Sequence, residues 1–129
     1  MNPTELLQAA RDLVERPDDV TAGLWPRASA FLARQAFEDA IDDLWRASPG
    51  FESLVQRSTA TQLLCLRLVV DDDIAAEASY LWSALSSACH YQPIDLAPTA
   101  AELEGWFDDI GQLISDFAAA TSSAKAKAS

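Results

Sequence analysis

The residues of this chain whose types could do chemistry are one histidine, two cysteines and a set of closely spaced carboxylates. The carboxylates form two groups, Glu38, Asp39, Asp42 and Asp43 in one stretch and Glu104 and Asp108 in another. On helices, acids one turn apart share a face, and acids converging from two helices can hold a hard cation such as Mg²⁺ through oxygen. His90 follows Cys89 directly. Neighbours on a helix point about 100° apart, so this pair does not face itself as nucleophile and base. With Ser87 where the glutamate would stand, His90 also fails the Glu-x-x-His pattern of di-iron bundles. No glycine-rich phosphate loop or nucleophile elbow occurs. His90 therefore reads as a residue that caps or packs near a helix end. The acids read as solvated helix faces, and no cofactor is expected.

The elements that position these residues are helical. Asn2-Pro3-Thr4-Glu5 combines an N-cap, a proline at the first helical position and a capping-box glutamate. Leu6, Ala10, Leu13 and Val14 follow on one face, and Pro17-Asp18-Asp19 ends that helix. A second helix is predicted from about Pro26 to about Ala47, with a stripe of Ala30, Ala33, Phe37, Ala40, Ile41, Leu44 and Trp45. Arg34 precedes Glu38 by one turn and Asp42 precedes Arg46 by one turn, so both pairs are expected to bond locally. Ser48-Pro49-Gly50 breaks the helix.

Leu63 to Val70 is apolar nearly all round and fits a central buried helix or a short buried strand. Helix is the assignment, because nothing else in the chain offers a partner strand. One of Asp72 and Asp73 is the natural N-cap of the next helix, whose stripe is Ile74, Ala78, Leu81, Leu85 and Cys89, widened by Trp82 and Ala88. Pro93 and Pro98 bracket a loop. Thr99-Ala100-Ala101-Glu102 is a second capping box, and Leu103, Trp106, Phe107, Ile110, Leu113, Ile114 and Phe117 line the helix behind it. From Ala118 the chain is small and polar and reads as frayed. The expected fold is all-α: one antiparallel bundle of about five helices over 1–120, with a flexible tail over 121–129.

Composition narrows the function. The 129 residues carry 50% hydrophobic and 22% charged side chains, in the range of an ordinary folded domain. Net charge is −11, so nucleic acid is an improbable partner. Residues 1–67 hold ten acids and seven arginines, whereas 68–124 hold ten acids and no lysine or arginine. Such a stretch is a solvated surface or a surface suited to a basic partner. No apolar run approaches the ~20 residues that span a bilayer. Cys65 and Cys89 form no C-x-x-C pair and read as small buried residues. The first residues lack the basic region and apolar core of a signal peptide, and cytoplasmic residence is the expectation. Arginine in place of lysine through residue 124, with abundant alanine, suggests a GC-rich bacterial genome.

Two family resemblances bear on the same residues. Glu38-Asp39-Ala40-Ile41-Asp42 loosely resembles the E-E-x-x-E half of the Mg²⁺ site in all-α NTP pyrophosphohydrolases of the MazG kind. The second half of that pattern, E-x-x-D, is not reproduced, because Glu104 and Asp108 are four positions apart and far downstream. The layout of residues 27–117, with a polar loop after a helix ending in Ala-Cys-His-Tyr, is similar to the HEPN superfamily. That resemblance implies a helical bundle, commonly dimeric, in ribonucleases of toxin or defence systems. The superfamily's catalytic signature is an arginine, four to six residues, then a histidine. Ser83, Ala84 and Leu85 stand where the arginine belongs, and the nearest upstream arginine is Arg67. The chain therefore resembles the non-catalytic members, which act as binding or scaffolding modules.

The function expected is a non-enzymatic interaction module that self-associates or serves as a small subunit, with Trp82 and Trp106 as aromatic anchors. Three alternatives remain open. One is a HEPN-like ribonuclease using His90, and another is a Mg²⁺-dependent hydrolase using Glu38, Asp42, Glu104 and Asp108. The last is an acidic decoy for a basic protein.

Overall fold

The structure, a computed structural model, describes residues 1–16, 25–90 and 97–128, the last four of these by their backbone alone. Among the described residues there are five α-helices and no strand: α1 (Pro3–Glu15), α2 (Trp25–Arg46), α3 (Thr59–Cys65), α4 (Asp72–Cys89) and α5 (Ala100–Ala128). Short 3₁₀ turns at Glu52–Gln56 and Leu66–Leu68 flank α3.

Both capping boxes form as the sequence predicts. Asn2 Oδ1 accepts from the Glu5 amide at 2.8 Å, and Thr99 Oγ1 accepts from the Glu102 amide at 3.1 Å while Glu102 accepts from the Thr99 amide. Each bond satisfies an amide that the first helical turn leaves without an internal partner. The next N-cap differs from expectation. Asp71 holds that position, one residue early, and its side chain makes no capping bond.

The central helix is α2, and its alanines make that placement workable. Ala30, Ala33 and Ala36 are wholly buried, together with Phe37, Ile41, Leu44 and Trp45. Small side chains along one face let neighbouring backbones come close, and the large ones fill the remaining space. The register follows from named contacts. Ser29 Oγ donates to the Ala10 carbonyl at 3.3 Å while Pro3 lies near Ala40 and Leu44, so α1 and α2 are antiparallel. Arg27 reaches the end of α4 while Leu44 lies near Ile74 at its start, which makes α4 antiparallel to α2 as well. Leu7 approaches Gly111, and Arg11 reaches Glu104, so α5 is antiparallel to α1 and parallel to α2. The parallel pair α2 and α5 meets through the middle, and α1 and α4 flank it on opposite sides. The core runs along this contact, with Leu103, Phe107, Ile110, Leu113 and Phe117 from α5.

Two expectations about elements need correction. The stretch from Leu63 to Val70 is helical in character but is not a central buried helix. It breaks into the end of α3 and a 3₁₀ turn, and buries only Leu63, Leu66 and Val70. Leu64 and Leu68 are 83% and 64% exposed. Moreover, α5 does not end near Ala118 but continues to Ala128, through the segment assigned to a tail. Alanine is the strongest helix former, and a run of it extends a helix that is already nucleated. The loop expected between Pro93 and Pro98 lies largely outside the described residues, as does Pro17-Asp18-Asp19.

Candidate functional site

The acids proposed for Mg²⁺ do not converge. Glu38 accepts from Arg34 Nε at 2.9 Å, and Asp42 accepts from Gln62 Nε2 at 3.2 Å. Glu104 and Asp108 share the guanidinium of Arg11, at 3.3 and 3.2 Å. Their four-residue spacing, which departs from the pyrophosphohydrolase pattern, is what lets one guanidinium reach both. Arg11 also lies 5.5 Å from the centroid of the Phe107 ring, a favourable cation–π placement. Arg46 pairs with Asp43 at 3.1 Å and not with Asp42 as expected, while Asp42 accepts from the amide of Gln62. Among the described residues no group of three or more histidine, cysteine or acidic side chains could hold a metal ion.

His90 ends α4, as its sequence context predicts, and its side chain is exposed. What the sequence did not disclose is its neighbour. Arg27 Nη1 donates to the His90 carbonyl at 2.7 Å and to the Ala88 carbonyl at 3.4 Å. These carbonyls lie where a helix end leaves acceptors without internal donors, and the negative pole of the helix favours a cation there. Arg27 thus acts as a C-terminal cap supplied by another helix. A signal for it existed: a cation in the first turn of α2 sits at the unfavourable pole of its own helix and is satisfied by a partner elsewhere. A cleft of about 470 Å³ opens beside these groups, with Ser87, Glu102 and Trp106 among its lining. It brings together the two sequence candidates His90 and Trp106, but the Glu102 carboxylate is engaged in its capping box.

Trp82 is built into the bundle as well. Its ring is half-buried, and the guanidinium of Arg34 stands 5.9 Å from the ring centroid. Of the two tryptophans offered as interface anchors, Trp82 thus packs partly buried against the core and Trp106 lines the cleft beside His90. Cys89 and Cys65 are free thiols and half-buried, less enclosed than the sequence suggests. Burial raises the Cys89 thiol above its ordinary value, against the opposing pull of the Arg34 charge. Arg34 is held protonated more firmly than usual, chiefly by its hydrogen bond to Glu38.

The surface least accounted for by the fold is at the opposite end of the bundle. Leu44, in the last turn of α2, is level with Ala119 and Ala120 of α5, so α5 overshoots α2 by roughly two turns, on the order of 10 Å. The overhang leaves a cleft of about 530 Å³ between α5, the start of α4 and the segment after α2. Its lining mixes the apolar Phe51, Val69, Val70 and Ile74 with two acids, Asp71 and Asp116, the second accepting from Gln112 Nε2 at 3.0 Å. Leu68 lines the cleft while remaining largely exposed, and Leu64 stands one turn before it. Gly50, with φ at +87°, makes the reversal that carries the chain from α2 into this wall, a backbone angle that favours glycine.

No helix among the described residues is long and apolar enough to cross a membrane. No family model, curated protein or solved structure matches the chain.

Proposed function

We propose that the chain is a non-enzymatic, cytoplasmic protein-docking module, and that it docks through the end of the bundle carrying Leu64 and Leu68. The observation that carries this reading is the exposure of these two leucines, 83% and 64%, the second of which lines a cleft. Their neighbours Leu63 and Leu66 complete the local core, so the exposed pair is not needed to bury the segment. Exposed apolar patches rimmed by polar residues mark sites of protein interaction. The proposed anchors replace Trp82 and Trp106, and a binding role agrees with the non-catalytic members of the superfamily that the layout resembles.

Site-specific photo-crosslinking in the native host tests the reading. A photoreactive residue at position 64 or 68 is expected to give discrete protein adducts, with none from position 83 on the exposed side of α4. Adducts no more frequent at 64 and 68 than at 83 would reject the docking surface.

A second reading rests on a different observation. Arg27 lines the same cleft as His90 and bonds to its backbone carbonyl, so a cation from another helix lies near the histidine although the local motif has none. On this reading the chain cleaves RNA at the His90 cleft. Loss of cleavage in His90→Ala supports it, and unchanged behaviour of that variant rejects it.

A further inference from the structure

The charge around the docking end restricts what can occupy it. Asp71 and Asp116 stand on the cleft walls, and Asp72 and Asp73 follow directly along the start of α4. No lysine or arginine is among the residues that line the cleft, and the bases that come next in α5 are Lys125 and Lys127. The nearby Arg67 is more than half exposed, and its Nε lies 3.9 Å from Asp72, which offsets that acid and leaves Asp71 and Asp116 as the carboxylates of the cleft itself. The wall formed by the overhanging α5 is made of small residues, Ala119, Ala120, Ser123 and Ala124. A smooth wall of this kind admits the close approach of another helix, as a bulky wall would not.

Resting on the docking reading above, we infer that the occupant is a basic amphipathic helix of a different protein. Its apolar face seats against Leu68, Val69 and Ile74, and its lysines or arginines face Asp71 and Asp116. Apolar anchors spaced by helical turns supply affinity in such grooves, and complementary charge supplies orientation and rate. A second copy of this chain, docked through the same face, fits less well, because it would bring a second Asp71 and Asp116 to the contact. Like charges placed together at an interface are a strong discriminator against a partner.

The test is a titration of the whole protein against a labelled amphipathic Leu/Lys peptide of about four turns, with a Leu/Glu peptide of the same apolar face as control. The Leu/Lys peptide is expected to bind saturably and to weaken as salt rises, since exposed charges are screened beyond ~10 Å at 0.1 M. Leu68→Asp is expected to weaken it about tenfold or more. Asp71→Asn with Asp116→Asn weakens it severalfold, and Glu15→Gln at the far end of the bundle leaves it unchanged. Equal binding of both peptides, or an equal effect of Glu15→Gln, overturns the basic partner. So does sedimentation showing a dimer that Leu68→Asp dissociates. Crosslinks at position 64 without preference for the Leu/Lys peptide reject the partner class alone, whereas absence of those crosslinks rejects the docking surface itself.

Discussion

Arg27 and His90 stand 63 residues apart, and the guanidinium of the first donates a 2.7 Å hydrogen bond to the carbonyl oxygen of the second. The bond ties the start of α2 to the end of α4. Because it uses the backbone of His90, the two residues have separable roles. Arg27→Ala is expected to cost about 1–3 kcal/mol, the range for hydrogen bonds to a charged group. His90→Ala is expected to change stability by less than about 0.5 kcal/mol. Urea unfolding of the two variants measures both, and a large effect of His90→Ala contradicts the assignment.

The leucines of the segment after α3 divide into two kinds. Leu66 is wholly buried, and Leu66→Ala should cost about 2–5 kcal/mol through lost burial and the cavity left behind. Leu64→Ser and Leu68→Ser should leave the unfolding midpoint within about 0.5 kcal/mol of the parent. A marked loss of stability in either would show that these side chains serve the fold and not a partner.

Helix caps offer a second internal comparison. Thr99 makes its capping bond and Asp71 does not. Thr99→Ala is expected to cost about 1 kcal/mol. Asp71→Asn removes only a charge near the start of α4, worth about 0.3–1 kcal/mol. Thermal melts of the two variants rank them, with Thr99→Ala the lower.

The Cys89 thiol, raised by burial, predicts slow alkylation and a specific pH response. In Cys65→Ser, reaction of Cys89 with iodoacetamide at pH 8 should run several times slower than that of a free thiol, because only the thiolate attacks. The folded protein binds this proton more tightly than the unfolded chain. Its contribution to stability is therefore complete below the unfolded thiol's value of 9.0 and declines as pH rises beyond it. Stability increasing through that alkaline window in the parent, but not in Cys89→Ala, would contradict the shift.

Because these acids do not converge and each already accepts from a neighbouring side chain, indifference to Mg²⁺ is predicted. A cation present at 100 times its dissociation constant stabilises a protein by about 2.7 kcal/mol. Millimolar Mg²⁺ should leave the melting temperature unchanged, and a rise that Glu104→Gln abolishes would restore the hydrolase reading.

Much of the fold is legible in residues read along the chain. The capping boxes at Asn2 and Thr99 mark the starts of α1 and α5, and the stripe from Ala30 to Trp45 is the buried face of α2. These signals are legible because helix initiation and amphipathic spacing are settled by residues three or four apart. The same logic misjudged Leu64 and Leu68, since a run of apolar residues does not say which members find a neighbour to cover them. It also ended α5 too soon, for loss of amphipathicity is not loss of helix.

Sequence alone determined that this protein is a set of helices, where most of them begin and which faces turn inward, because those properties are paid for locally. Tertiary structure decided which charges meet: Arg11 with Glu104 across 93 residues, and Arg27 with the end of α4. It also decided that α5 outruns α2 and leaves an open, acid-walled cleft beside two bare leucines. Those outcomes depend on the order and axial register in which whole helices pack, and burying the shared core sets that register over the entire chain at once.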